Sequence, residues 1–354
     1  MAYISFQPKD YFKTLLYTGN SSSPRTITGV GFQSDFTWIK PRNLAYSHTL
    51  VDAVRGASGN GSLSGTLISN STGSPEGDTN SDGTITAFTS DGFTLTAGSS
   101  SSGRTNGSYN YASWNWKANG AGSSNSDGSI TSTVSANTTS KFSIVKWTGT
   151  GANATIGHGL GTTPETIFVK SLVDAENWCV YHKNIGNTHS LFLNTTGGDS
   201  SNTKFWNNTS PTSTTFSVGN GGEVNGSGDA MIAYCFTGLT GFSNFGTYNG
   251  NGNADGPFVY TGFKPSLIIF KRSDSTGWWS MFNDKSLGYN PDNNALFPSS
   301  NDAENTSDFI DIVSNGFKLR DSNANLNNDG SKFLYWAWAA APLVGSNNVP
   351  CTAR

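Results

Sequence analysis

Charge is scarce in this chain. Asp, Glu, Lys and Arg make up 13% of its 354 residues, about half the share found in ordinary soluble domains. With a formal net charge of −3 there is no basic field to collect phosphates, so nucleic acid is not an expected partner. Cysteine is scarcer still. Cys179, Cys235 and Cys351 stand far apart with no CxxC pair, which argues against a disulfide framework or a cysteine metal site. Cys179 and Cys235 lie in apolar runs and read as buried thiols. No run is long and apolar enough to cross a bilayer as a helix, so membrane insertion is not expected. The opening Met1-Ala2-Tyr3-Ile4-Ser5 has neither a basic n-region nor an apolar h-region, and the chain is expected to fold where it is made. Histidine is limited to His48, His158, His182 and His189, none near a GxSxG elbow, and most carboxylates sit beside Gly and Asn where turn geometry explains them. Catalysis is not expected.

Glycine and aromatics are abundant: 42 Gly, 22 Phe, 12 Tyr and 10 Trp. A disordered chain is poor in large rings, so the mixture reads as many short strands joined by polar loops, an all-β composition.

One spacing occurs three times. Tyr17-Thr18-Gly19, Trp147-Thr148-Gly149 and Tyr248-Asn249-Gly250 are each followed, fourteen residues after the aromatic, by Gly31, Gly161 and Gly262. Nine residues further on, Lys40, Lys170 and Lys271 close the apolar runs Phe36–Lys40, Thr166–Lys170 and Leu267–Lys271. His48, Trp178 and Trp279, then Leu50, Val180 and Met281, keep the same register without a gap. Asp91-Gly92 and Asn315-Gly316 supply hairpin turns tolerant of positive φ, with Thr215-Phe216-Ser217-Val218 as the middle counterpart. Each copy ends on an aromatic strand containing Trp114 and Trp116, Tyr234 and Phe236, or Trp336 and Trp338. Period-two alternation assigns these tryptophans to a core face. The central runs, apolar at nearly every position, read as strands covered on both faces, and the three lysines as strand ends at the surface.

The expected fold is therefore three tandem antiparallel β-sandwich (jelly-roll-like) modules of roughly 100 residues, each closing on its own interior. Module 1 takes residues 1–118 with an N-terminal arm, a Gly/Ser/Asn linker takes 119–139, module 2 takes 140–238, module 3 takes 239–341, and 342–354 form a tail. A closed three-bladed ring is disfavoured, because propellers ordinarily need four or more blades.

Two aromatics and one loop are candidate sites. In Trp278-Trp279 neighbours face opposite ways, so Trp278 should point outward when Trp279 is core. Trp206, in Lys204-Phe205-Trp206-Asn207-Asn208, is expected in an exposed polar loop. Exposed rings beside amides suit a sugar by stacking and hydrogen bonding, or subunit packing. Asp78-Thr79-Asn80-Ser81-Asp82-Gly83 matches the first half of a calcium loop through Asp78, Asn80 and Asp82, but Thr89 stands where the bidentate Glu belongs. Asn325 to Gly330 is a weaker echo. No other cofactor is indicated.

Phe6-Gln7-Pro8 with Tyr17 to Asn20, the block Gly31 to Lys40, Asp52-Ala53-Val54-Arg55-Gly56, Ser90 to Phe93, Trp114-Asn115-Trp116-Lys117-Ala118 and Asn347 to Pro350 together resemble repeat-bearing virion proteins of tailed bacteriophages, common among marine phages. The middle module lacks the Asp-x-x-Arg-Gly segment and the Trp-x-Trp pair. The resemblance implies a virion component: a tail fibre or host-receptor-binding appendage, or a capsid decoration or tail-ring protein. Its implied partners are other virion proteins, a host-surface polysaccharide or receptor, and further copies of itself, with a trimer favoured. A first repeat that begins almost at Met1 leaves little room for a fibre's attachment segment.

Overall fold

In the computed structural model, described over residues 7–57, 65–76, 81–98, 103–286, 290 and 294–340, alternating strands are laid onto two sheets in each third of the chain. The first third holds β1 (Phe12–Thr18), β2 (Arg25–Thr28), β3 (Phe36–Pro41), β4 (Thr49–Asp52), β5 (Ile85–Thr89), β6 (Gly92–Leu95) and β7 (Asn110–Trp116). The second holds β8 (Ser123–Asn125), β9 (Ser132–Asn137), β10 (Phe142–Thr148), β11 (Ala154–Gly157), β12 (Thr166–Ser171), β13 (Cys179–His182), β14 (His189–Phe192), β15 (Ser200–Ser201), β16 (Thr215–Val218) and β17 (Ala230–Phe236). Two single-turn helices, α1 (Thr203–Trp206) and α2 (Gly222–Asn225), flank β16. The last third holds β18 (Ser243–Asn249), β19 (Phe258–Tyr260), β20 (Leu267–Arg272), β21 (Trp279–Asn283), β22 (Ile310–Val313), β23 (Gly316–Leu319), α3 (Ala324–Asn327) and β24 (Lys332–Trp338).

The strand orders are β1-β7-β3-β4, β10-β17-β12-β13 within an eight-stranded sheet, and β18-β24-β20-β21. The smaller sheets run β2-β6-β5, β11-β16 and β19-β23-β22. The first strand thus lies beside the last and the second beside the next to last, on opposite sheets, which is a jelly-roll-like antiparallel sandwich. Hairpins form where expected, but their two-residue loops are Ser90-Asp91 and Ser314-Asn315, with Gly92 and Gly316 already in the strands, and neither Asp91 nor Asn315 adopts positive φ. The Asp91 carboxylate accepts from the amides of Gly29 and Gly31, which holds it below the usual carboxylate range. Opposite Phe93, Phe216 and Phe317 lie Ile27, Ile156 and Val259. These fall ten, nine and eleven residues after Tyr17, Trp147 and Tyr248, so the ungapped spacing conceals a one-residue slip in the second strand of each sandwich.

The stretch 119–139, expected as a linker, instead supplies β8 and β9, and β9 extends the second large sheet by pairing with β10. Its polar residues suit an edge strand with one wet face.

The central strands of each large sheet are buried on both faces. One face closes the sandwich's own core: Ile39, Val51 and Tyr111 meet Ile27, Ile85 and Phe93 in the first, and Phe270, Phe282 and Tyr335 meet Val259, Ile310 and Phe317 in the third. The other face packs against the other two sandwiches. Trp116, Phe236 and Trp338, at matching positions of β7, β17 and β24, form a triangle with ring centroids 5.3–6.2 Å apart. Trp114, Tyr234, Trp336, Trp38, Phe168 and Ile269 complete one shared central cluster. The expectation that each module turns its aromatic strand into a private interior is therefore corrected: the tryptophans are buried, but in a core built by all three thirds. The disfavoured ring is the arrangement adopted, with whole sandwiches rather than single-sheet blades at its corners. Three wide aromatic faces fill the centre that three narrow blades would leave open. A cavity of about 20 Å³ remains there, lined by Trp38, Phe168, Trp178, Tyr234 and their apolar neighbours, room for one water at most.

Candidate functional site

The ring is locked by one set of contacts made three times around the axis. Trp178 Nε1 in the second third donates to Ile68 O of the first at 2.9 Å, and Trp279 Nε1 in the last donates to Phe192 O of the second at 3.0 Å. His48 closes the circle, its Nε2 lying 3.0 Å from Phe297 O while Nδ1 accepts from Trp38 Nε1 at 2.8 Å. That pair of bonds fixes the Nε2–H tautomer. Burial holds His48 neutral, well below the ordinary imidazole range.

Lys40, Lys170 and Lys271, expected at the surface, are fully buried. Lys170 Nζ donates to Ser171 O and to Thr72 O of the first third, both at 2.9 Å. Lys271 Nζ donates to Arg272 O at 2.7 Å and to Thr196 O of the second third at 3.2 Å. Lys40 Nζ donates to Pro41 O at 2.8 Å and Leu44 O at 3.3 Å, with Asp302 and Glu304 of the last third nearby. A lysine closing an apolar strand ordinarily snorkels to water. Here the adjoining third lies across the strand end and supplies a carbonyl to Lys170 and to Lys271, and the carboxylates of Asp302 and Glu304 near Lys40. Desolvation lowers Lys40 and Lys271 to about 7 and Lys170 to about 8.

A buried ion pair joins the first two thirds. Asp52 accepts from Arg55 Nε at 2.5 Å and from its backbone amide at 2.9 Å, and Tyr234 Oη of the second third donates to Asp52 Oδ2 at 2.8 Å. Arg55 also caps Gly65 O and Leu50 O. Arg42 and Glu304 form a two-pronged pair between the first and last thirds.

The candidate ligand residues separate. Trp206 is not an exposed platform; it is 1% exposed. Asn202 caps α1 by accepting from Lys204 N, Asn207 ends it in the left-handed region, and the helix packs beside β16, where the other two sandwiches have a third strand. Phe205 and Trp206 thereby plug the second sandwich, with Trp206 Nε1 donating to His189 O at 3.1 Å and its ring set edge-on to Tyr181. The sequence reading took this segment for an exposed loop; the burial of Trp206 depends on the absence of a third strand beside β16. Trp206→Ala is expected to destabilise the fold by about 3–5 kcal/mol, read as a shift of the urea midpoint. Trp278 does face outward, 46% exposed beside the buried Trp279, its ring edge-on to Phe297 at 5.2 Å.

Of the calcium-loop residues, Asp78 and Asn80 lie outside the described residues. The Asp82 carboxylate is engaged by Arg104 Nη2 and Tyr46 Oη, both at 2.8 Å. In the weaker echo Asn327 Nδ2 donates to Asn253 O and Asp321 O, a loop staple. Among the described residues no group of three or more His, Cys, Asp or Glu is placed to hold a metal. Cys179 and Cys235 are free buried thiols, pushed up by burial; Cys351 lies outside the described residues.

Two exposed rings escaped the sequence reading. Phe258 and Tyr260, on either side of buried Val259 in β19, are 49% and 65% exposed. The alternation Phe-Val-Tyr was the available signal, but it does not say which face is wet.

A family model described as Domain of unknown function (DUF7483) matches residues 7–342. The chain belongs to that family. No curated protein and no solved structure matches it. In this DUF7483 chain the matched span takes in all three sandwiches.

Proposed function

We propose that this chain is a non-enzymatic structural protein of a tailed-phage virion, built from three copies of one module, that contacts the host surface as a tail-fibre-like or receptor-binding appendage. The observation that carries the non-catalytic part is the placement of the chemically capable side chains. Lys40, Lys170, Lys271, His48, Asp52 and Arg55 are buried in the contacts between sandwiches, where they stiffen the body and meet no substrate. The resemblance noted in Tyr17 to Asn20, Asp52 to Gly56 and Trp114 to Ala118 supports the virion assignment. Host contact rests on the outward rings, Trp278 among them.

A second reading, capsid decoration or a tail ring, draws support from the closure of the sandwiches around one axis. Three corners on one block suit a lattice better than a rod does. Antibody labelling of particles in the electron microscope separates the two: label at the tail tip supports the appendage, and label across the head supports decoration. Purified protein is expected to bind host cells, and Trp278→Ala to reduce that binding severalfold while the fold, which loses the edge-on contact with Phe297, is destabilised by only about 1 kcal/mol. Absence of the protein from purified particles would sink both readings.

A further inference from the structure

Two rings on the outside of the third sandwich are not required by its fold. The pairings that set Val259 opposite Phe317 also set Ile27 opposite Phe93 and Ile156 opposite Phe216. The positions flanking the inward residue are Phe258 and Tyr260 in the third sandwich, Thr26 and Thr28 in the first, and Thr155 and Gly157 in the second. The same place is built three times and carries aromatics once. Threonine and glycine serve the strand elsewhere, so packing does not explain rings left in water.

Both rings are laid down on glycine. A Cβ on Gly316 would stand 3.1 Å from Phe258 Cε2, so that ring leans across bare backbone. Gly262, at φ +86°, does the same for Tyr260, whose hydroxyl lies 3.6 Å from where its Cβ would be. Each ring is thus steadied from beneath with its outer side free, and has less rotamer freedom to lose when something stacks on it. Residues two apart on a strand face stand roughly 7 Å apart, close enough for consecutive sugars of one chain to lie on both.

The cations beside the rings are paired within the face. Lys318, opposite Phe258, pairs with Asp255 at 2.8 Å, and Arg320 pairs with Asp311, which lies opposite Lys318. With Asp308 lining the same depression as Asp311 and Arg320, the two cations are matched or outnumbered by carboxylates, and no positive field favours an anionic partner. A partner suited to this face is uncharged, presents flat apolar patches, and carries hydroxyls that can meet the paired charges at the rim.

We propose that the β19 face of the third sandwich binds a neutral polysaccharide, whose pyranose faces stack on Phe258 and Tyr260. This deepens the host-contact reading above and rests on it for its biological setting, although the binding itself belongs to the isolated protein. The test uses the whole chain on a panel of immobilised neutral glucans, galactans and mannans, with alginate as the anionic probe. Retention by at least one neutral glycan is expected, weakened roughly tenfold or more in Phe258→Thr/Tyr260→Thr, with alginate not retained. Threonine is what the first sandwich carries at these positions, and an unchanged thermal midpoint checks the fold; Tyr260→Thr alone serves if the double variant does not fold. Val173→Thr, which removes an exposed apolar residue elsewhere, is expected to bind as the parent does. The proposal is overturned if no neutral glycan is retained, if alginate is preferred, or if the double variant binds like the parent. It is also overturned if sedimentation shows a dimer that the double variant dissolves, which would assign the face to a second copy of the chain. Protein found on particles without glycan binding sinks this inference alone; glycan binding by a protein absent from particles sinks the virion reading alone.

Discussion

Asp52→Ala is expected to lower the stability of the whole chain by about 3–5 kcal/mol, the usual cost of removing one partner from a buried ion pair. Both side chains of the pair are fully buried. Without the carboxylate, Arg55 keeps its bonds to Gly65 O and Leu50 O but loses the charge that balances it in a desolvated site. Tyr234 Oη loses its acceptor at the same time, and with it goes a polar link between the first two sandwiches. Tyr234→Phe removes that link alone and is expected to cost about 1 kcal/mol. Asp52→Ala combined with Arg55→Met removes both charges and is expected to recover part of the loss, because the stranded guanidinium is the larger penalty. Urea unfolding of the four proteins provides the measurement. A loss under about 1 kcal/mol in Asp52→Ala would mean that water reaches the pair, and that the contact between the sandwiches is looser than described.

The second large effect is a stability that rises as the solution becomes alkaline. Lys40 and Lys271 fall to about 7 and Lys170 to about 8 when folded, against about 10.4 in an unfolded chain. Between pH 8 and 10 the unfolded chain therefore binds more protons than the folded one, and stability increases with pH, by up to about 1.4 kcal/mol per pH unit for each lysine neutral in the fold. His182, lowered to about 3, and His48, lowered further by burial than an ordinary imidazole, act in the same direction below pH 6.5. Above pH 10 the sign reverses. Tyr17, Tyr234 and Tyr248 are raised by burial, so the unfolded chain loses phenolic protons first. The urea midpoint should climb from pH 7 to a maximum near pH 10 and then drop. Lys170→Met is expected to flatten part of that climb. A midpoint that falls steadily from pH 7 to 9 would show that the lysines stay charged in the fold.

Much of the architecture was legible in the chain itself. The runs Phe36–Lys40, Thr166–Lys170 and Leu267–Lys271 are apolar at nearly every position, which marks strands covered on both faces; β3 and β12 are buried along their whole length, and β20 except at Arg272. The hairpins were readable at Asp91-Gly92 and Asn315-Gly316, but glycine serves there for close approach, since a Cβ on Gly92 or Gly316 would lie 2.1 Å from Ile27 O or Val259 O of the neighbouring strand. Outward Trp278 beside inward Trp279 followed from period two. Trp206 was misplaced for a reason sequence does not carry: its surroundings are created by a strand that the second sandwich lacks. The β8 and β9 strands were hidden because an edge strand with polar side chains has the composition of a loop.

Local chemistry thus determined the strands, the turns, the apolar faces and the all-β class, since each depends on residues close together along the chain. Association in three dimensions decided what covers the second face of each large sheet, and with it the fate of the lysines. Burial of Lys40, Lys170 and Lys271 depends on carbonyls or carboxylates that lie far away in sequence, Thr72 O and Thr196 O among them. A hydrophobic face records only that it must leave water. Which other face it meets is settled by shape and by the hydrogen bonds that close when three sandwiches come together.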